Sequence, residues 1–250
     1  MIQLSVVIIT FNEEKNIGRT IDSVLNLADE VLVVDSFSKD ETEKICKSKG
    51  VKFIQHKFDG YIEQKNWALQ QAKNNKVLSL DADEVLDDDL KSEIKEIKSN
   101  WIFDGYYLNR LTNYCGKWIY HGGWYPDKKL RLIDKTKCEW AGINPHDKII
   151  YFNKKSKYGF LNGNLLHYSF NSIGDHLKKI DKYSEIASKA YFESGKKGNY
   201  INLYLNPILK FLKSYIVKLG FLDGYFGWKI ATLSSYETYL KYKKLICLQK

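Results

Sequence analysis

Val77-Leu78-Ser79-Leu80-Asp81-Ala82-Asp83 is a strand-length apolar run that ends in two carboxylates one residue apart. The run is short, carries Val and Leu, and does not alternate with polar residues, which predicts a strand buried on both faces. Open α/β sheets bind ligands beyond the carboxyl ends of their strands. Two carboxylates at such an end repel one another unless a cation lies between or beside them. A hard divalent ion with oxygen ligands, Mg²⁺ or Mn²⁺, meets that need, and such ions also hold substrate phosphates. The stretch therefore points to a metal-bound diphosphate. The plainer alternative is that Asp81 and Asp83 open the acidic stretch Glu84 to Asp89 and cap a helix.

Upstream, the same pattern recurs. Leu4 to Thr10 predicts a first strand, and Asn12, followed by Glu13 and Glu14, predicts the N-cap and acidic first turn of a helix carrying Ile17, Ile21, Val24 and Leu25. Glu30 to Asp35 predicts a second strand. Ser38 with Glu41 predicts a capping box for a helix ending near Gly50. Val51 to Ile54 predicts a third strand, Tyr61 to Lys73 a third helix, and Val77 to Leu80 the fourth strand. Strands alternating with helices imply right-handed βαβ units and a mainly parallel sheet. Thr10, Asn12, Asp35, Asp81 and Asp83 all fall at strand exits, which favours one ligand site at a single edge of the sheet.

After residue 100 the pattern changes. Tyr106-Tyr107-Leu108 and Lys129 to Ile133 predict strands, and Asn113 to Asp127, rich in Gly, Trp and Tyr, predicts an ordered loop. Ile173 to Tyr191 predicts an amphipathic helix. Leu203 to Val217 and Trp228 to Leu245 predict two more, with lysines among aromatic and aliphatic residues.

The 250 residues are 44 % hydrophobic and 14 % aromatic, enough to bury a core and to exclude disorder. The four cysteines, Cys46, Cys115, Cys138 and Cys247, are scattered and predict reduced thiols in the cytosol. The first residues read as a strand rather than a leader peptide, and no apolar stretch approaches the roughly 18 residues of a membrane span. The net charge of +9 is uneven: residues 1–100 carry 14 basic and 19 acidic side chains, residues 101–199 carry 17 and 9, and residues 200–250 carry 8 and 2. The basic, Tyr-rich second half suits an anionic membrane surface, a phosphorylated acceptor or nucleic acid; its C-terminal basic-aromatic helices are read as a contact with an anionic membrane surface, with an internal helical layer covering the sheet as the alternative.

Leu4 to Glu14, Val33-Val34-Asp35-Ser36 and Ser79-Leu80-Asp81-Ala82-Asp83-Glu84 together resemble the family 2 glycosyltransferases. Within them, Gln64 to Leu69, Trp124 to Leu132, Leu166-His167-Tyr168-Ser169 and Gly220 to Gly224 resemble the bacterial lipopolysaccharide core glucosyltransferases, over nearly the whole chain. The resemblance implies a GT-A fold, mainly parallel and flanked by helices. It implies a glycosyltransferase domain over residues 1–170, divided into a nucleotide-binding half (1–100) and an acceptor half (101–170), with a basic helical extension over 171–250. It also implies a UDP-sugar donor and a lipid-linked, inner-core acceptor on the cytoplasmic face of the membrane, reached by direct displacement with inversion.

By that resemblance Thr10, Asn12, Glu13 and Asp35 hold the uridine. Asp81 meets the ribose or the metal-linked phosphate, and Asp83 ligates the metal, with His167 as a further ligand or a hydrogen-bonded core residue. Lys65 either reaches a donor phosphate or is an exposed helix lysine. Arg131 contacts a phosphate or lies on a solvated strand face. The family shows a His followed by an acidic residue as the base, here His146-Asp147, which makes Asp147 the candidate and Asp127 its competitor. Trp118, Trp124 and Tyr125 are read as core, with stacking on sugar rings as the alternative.

Three other readings compete. A polyprenyl-phosphate glycosyltransferase shares the donor site but needs little general-base help. A dinucleotide-binding oxidoreductase lacks support, because Thr10-Phe11-Asn12-Glu13 has none of the glycines of a GxGxxG turn. A nucleic-acid binder suits the charge but leaves acidic strand ends that repel phosphates.

Overall fold

The computed structural model of the chain describes residues 1–143 and 146–249. Its first half is built from β1 (Leu4–Thr10), α1 (Ile17–Val24), β2 (Glu30–Asp35), α2 (Thr42–Ser48), β3 (Lys52–Gln55), α3 (Tyr61–Gln71) and β4 (Lys76–Asp81). The four strands are parallel in the order β3-β2-β1-β4. β1 is apolar at nearly every position because both of its faces are covered. Val6 and Ile8 share a core with Ile17, Ile21 and Leu90 on one face. Val7 joins Leu32, Val34, Ala68 and Leu69 on the other.

The chain continues through β5 (Glu84–Leu86), α4 (Asp88–Ser99), β6 (Gly105–Tyr114), β7 (Lys117–Ile119), β8 (Asp127–Asp134), β9 (Cys138–Ile143), β10 (His146–Tyr151) and β11 (Tyr158–Phe170). From β4 the sheet extends as β8-β6-β11-β5. β8 is antiparallel to β4, β6 to β8, and β5 to β11. β9 and β10 form a separate antiparallel pair. A parallel nucleotide-type half joined to antiparallel strands, with helices on both faces, is the GT-A arrangement expected from the sequence. α5 (Ile173–Glu193), α6 (Tyr200–Leu212) and α7 (Gly224–Leu248) supply the C-terminal helices.

Two expected caps are corrected. Asn12 does not begin α1, which starts five residues later. Its backbone is left-handed (φ 52°), and its side chain accepts a hydrogen bond from the Lys39 N–H. Ser38 and Glu41 do not form a capping box. The Ser38 hydroxyl donates to Asp35, and α2 starts only at Thr42. In both cases a hydrogen bond outside the helix takes the polar group that local pattern assigns to a helix end. The region Asn113 to Asp127, expected as a loop, contains β7, which pairs with Thr112–Tyr114.

The chain divides into two compact units, Met1–Arg110 with Asp127–His167 and Leu111–Pro126 with Tyr168–Lys250. In that division Leu111–Pro126, read from the sequence as part of the acceptor half, groups with the C-terminal helices. Two features of the second unit account for this. Tyr114 lies in an aromatic cluster with Trp124, Phe170 and Phe226. Asp223, buried between a short helical turn and α7, accepts hydrogen bonds from the Tyr120 and His121 N–H groups and pairs with the His121 ring. Trp124 therefore packs in the core, as the safer reading of the sequence has it.

Candidate active site

Sheet order locates the site. After β1 the chain adds β2 and β3 on one side and then returns to place β4 on the other, so the order reverses between β1 and β4. Ligands bind outside the carboxyl ends of strands at such a reversal. The register brings the expected residues into one row there: Thr10 lies opposite Asp35, and Ile9 lies opposite Asp81. With strands about 4.8 Å apart, the Asp35 and Asp81 backbones are separated by about 10 Å, on either side of β1.

On the β2 side, Asp35 is fully buried. Its carboxylate accepts from the Ser38 N–H (2.8 Å), the Ser38 hydroxyl and Gln55 Nε2 (3.4 Å). Asn12 and Glu13 lie in the loop after β1 and lock it to the loop after β2. The Asn12 N–H donates to Ser38 Oγ (2.8 Å) and the Glu13 N–H to Thr42 Oγ1 (2.9 Å). Both residues thus frame Asp35 through backbone bonds. Glu13 also accepts from Asn16 Nδ2 at 2.7 Å.

On the β4 side, ionic groups gather around Asp81. Lys65 Nζ lies 3.1 Å from Asp81 Oδ1, and Arg131 Nη2 lies 2.9 Å from Oδ2. Burial alone would raise the Asp81 pKa, but these two cations outweigh it and hold the carboxyl far below the usual carboxylate range. Arg131 also donates to Glu84 Oε1 at 2.9 Å, and Glu84 Oε2 accepts the Asp81 N–H at 3.0 Å. Arg110 approaches the same Glu84 oxygen at 3.6 Å. Burial opposes the charge on Arg131, yet Glu84 and Asp81 raise its pKa above even the ordinary guanidinium value.

Lys65 is buried, which removes the exposed-lysine reading. Besides Asp81 it donates to Asp147 Oδ2 at 2.8 Å, and it lies 4.4 Å from the Trp140 ring centre. Arg131 is buried as well, not on a solvated face, and sits 5.3 Å from the same ring. Asp147 occupies β10 opposite Gly142 and is nearly covered. Asn144 and Pro145, which lead to it in the family-like motif, lie outside the described residues. The competing carboxylate, Asp127, is held by Arg110 through Nη2 (2.7 Å) and Nε (2.9 Å) and by Lys129 at 3.0 Å. Its burial is outweighed by these cations, and its pKa is lowered.

Asp83 faces elsewhere. Its Oδ2 lies 3.2 Å from His167 Nε2, because the pairing of β11 with β5 places His167 opposite Glu84. At 3.2 Å the two groups form a direct Asp–His pair, and its carboxylate oxygen is the kind of donor that Mg²⁺ and Mn²⁺ take. Asp81 does not complete a three-residue cage with them. Among the described residues no three His, Cys, Asp or Glu side chains are grouped to hold a metal. The Asp81 carboxylate is engaged by Lys65 and Arg131 instead. A two-residue anchor that leaves the remaining positions to phosphates and water is the usual mode for such ions.

Buried polar atoms without a hydrogen-bond partner concentrate in this unit: Thr10 Oγ1, Arg131 Nε and Nη1, Trp140 Nε1 and His167 Nδ1. Folded proteins leave few such atoms, and each calls for a polar partner. Thr10, Arg131 and His167 are themselves expected site residues; Trp140 lies beside Lys65 and Arg131, and Asn16 Oδ1, ahead of α1, is a further such atom. Glu84, Arg110 and Trp140 escaped sequence reasoning. Glu84 directly follows the carboxylate pair and carries a faint signal; nothing local marks the other two.

The sequence model of glycosyl transferase family 2 matches residues 5–159. The chain is 35 % identical to an uncharacterised glycosyltransferase of Rickettsia typhi, over 98 % of this chain and 87 % of that one. It is 28 % identical to the lipopolysaccharide core biosynthesis glycosyltransferase LpsC of Rhizobium meliloti, over 96 % and 93 %. Among solved structures, glucosyl-3-phosphoglycerate synthase from Mycobacterium tuberculosis, in complex with Mn²⁺, UDP and glucosyl-3-phosphoglycerate, aligns with a TM-score of 0.36 and 23 % identity over 44 % of each chain.

Proposed function

Because the chain belongs to glycosyl transferase family 2, we propose that it is an inverting hexosyltransferase carrying glucose from a UDP-sugar to a hydroxyl of a lipopolysaccharide inner-core acceptor. The observation that carries the reading is the row of polar groups at the reversal point: Thr10 and Asp35 on one side of β1, and Asp81 with Lys65 and Arg131 on the other. Its two ends match the two ends of a nucleoside diphosphate. Asp35 and the loop carrying Asn12 and Glu13 take the uridine. Lys65 and Arg131 offer positive charge to the diphosphate. The likeness to LpsC, a lipopolysaccharide core biosynthesis glycosyltransferase, over nearly the whole of both chains supports the acceptor class.

Asp83 and His167 would hold a divalent ion, which when bound neutralises charge developing on the leaving diphosphate, a contribution of several kcal/mol. Asp147 is the base. The acceptor oxygen forms a bond to the anomeric carbon as the bond from that carbon to the diphosphate oxygen breaks. The acceptor proton passes to an Asp147 carboxylate oxygen, and UDP leaves with the bonding electrons. Lys65 lies between Asp147 and Asp81 and so orients the base while placing a cation on the leaving-group side. Arg131 and Trp140 exclude water from the same corner.

The test is a thermal-shift panel of UDP, UDP-sugars, GDP-mannose and NAD, each with and without Mn²⁺, on the wild type and on Asp83→Asn. The expected outcome is stabilisation by UDP compounds that requires Mn²⁺ and disappears in the variant. A response to NAD equal to that of UDP, or none to any nucleotide, would overturn the donor assignment.

A further inference from the structure

α6 presents its apolar residues to solvent. Ile201, Leu205, Ile208 and Leu212 recur at helical spacing and are between 40 % and 69 % exposed. The buried stripe of the same helix is narrow, Leu203 and Pro207, followed by Ser214 in the turn beyond it. Ser235 of α7 donates to the Pro207 carbonyl at 2.8 Å, which fixes that side inward. The apolar face continues past the helix through Ile216 and Val217, 54 % and 71 % exposed. A contiguous patch of this kind marks an interaction site on a soluble fold.

Charge identifies the occupant. Residues 200–222 contain Lys210, Lys213 and Lys218, all exposed, and no Asp or Glu. Exposed aromatic residues lie on the same two helices: Tyr200 and Tyr204 on α6, and Tyr225 and Trp228 on the first turns of α7, where Lys229 lies over both of the latter rings. A second copy docked on the same face about a two-fold axis would bring lysines toward lysines with no acid on the patch to offset them. An anionic lipid surface turns the same lysines into attraction, and Tyr and Trp belong at the headgroup level. No helix among the described residues is long and apolar enough to cross a membrane. We propose that the outer face of α6 and the turn after it is an interfacial docking surface for an anionic phospholipid bilayer, with the helix lying in the plane of the interface. This rests on the second unit alone and stands independently of the donor and acceptor assignments.

The experiment is co-sedimentation of the full chain with vesicles of one-third phosphatidylglycerol in phosphatidylcholine, and with pure phosphatidylcholine, across a salt series. Two variants accompany the wild type: Ile208→Asp with Leu212→Asp, and the triple exchange of Lys210, Lys213 and Lys218 to Gln. Circular dichroism and melting temperature confirm that both fold. The wild type is expected to bind the anionic vesicles and to lose binding as salt rises. The triple exchange should weaken partitioning about 100-fold, at about fivefold per lysine, and the aspartate pair should abolish it. Absence of binding at low salt overturns the proposal, as does equal binding to neutral vesicles or undiminished binding by the aspartate pair. A concentration-dependent dimer that the aspartate pair dissociates, without vesicle binding, assigns the face to a second copy and equally overturns it.

Discussion

Asp147 and Asp127 both lie in the first unit beside a cation, yet their surroundings differ, and the difference favours the base proposed above. Asp127 is gripped by two nitrogens of Arg110 and by Lys129, which occupies its remaining oxygen. A carboxylate with both oxygens engaged by cations is a poor proton acceptor. Asp147 meets Lys65 through Oδ2, and Lys65 is shared with Asp81. Asp147→Asn is therefore expected to reduce turnover roughly 10²–10⁴-fold while leaving UDP binding nearly intact. Asp127→Asn should leave turnover within the same order of magnitude and cost about 1 kcal/mol of stability or less. Steady-state kinetics with a UDP-sugar, beside a binding isotherm for UDP, checks both. Normal turnover in Asp147→Asn would remove it as the base. The family resemblance made these two carboxylates candidates. Their surroundings could not be foreseen, because Lys65, the partner of Asp147, lies 82 residues away in the chain.

At the scale of the element, β11 is placed by a close approach. Gly163 faces the first turn of α4 so tightly that a Cβ there would meet the Leu90 nitrogen at 2.2 Å and its Cα at 2.4 Å. The neighbouring backbone is further clamped. Asp87 caps α4 by accepting from the Leu90 N–H, and it also accepts from the Asn164 N–H at 2.8 Å. Asp87 rather than Asp81 or Asp83 is thus the capping carboxylate of the acidic stretch, which frees the earlier pair for the site. Gly163→Ala is expected to destabilise the protein by about 1–3 kcal/mol through forced separation of β11 and α4. Since His167 lies on the same strand, the variant should also weaken Mn²⁺-dependent UDP stabilisation. Urea unfolding and the thermal-shift assay check the two effects. Neither effect was visible beforehand. A glycine inside an apolar strand says that something comes near, and the fold alone says what.

For the whole molecule, acid sensitivity follows from the second unit. His176 is buried among Tyr114, Trp124 and Phe170, with its Nδ1 2.8 Å from the Tyr114 hydroxyl. Burial first, and the nearby Lys179 second, push its pKa down to about 4 from the ordinary 6.5. The folded state therefore keeps the ring neutral where the unfolded chain binds a proton. Stability is full above pH 6.5 and falls as the pH drops toward 4, by no more than about 3 kcal/mol. His176→Phe should flatten the curve in that window, as read from denaturant melts at stepped pH, and an unchanged slope would exclude His176 as its source. The strands, the helices between them and the carboxylates at the strand exits were legible in the order of residues, because side-chain period and the right-handed crossover are local consequences of chirality. Three things needed the folded chain: the antiparallel second half of the sheet, the buried cluster of Lys65, Arg131, Glu84 and Asp81, and the outward face of α6. Each depends on which segments, tens of residues apart, are brought into register. A helix that is apolar nearly all round, as α6 is, does not declare which side its neighbour will cover until that neighbour is in place.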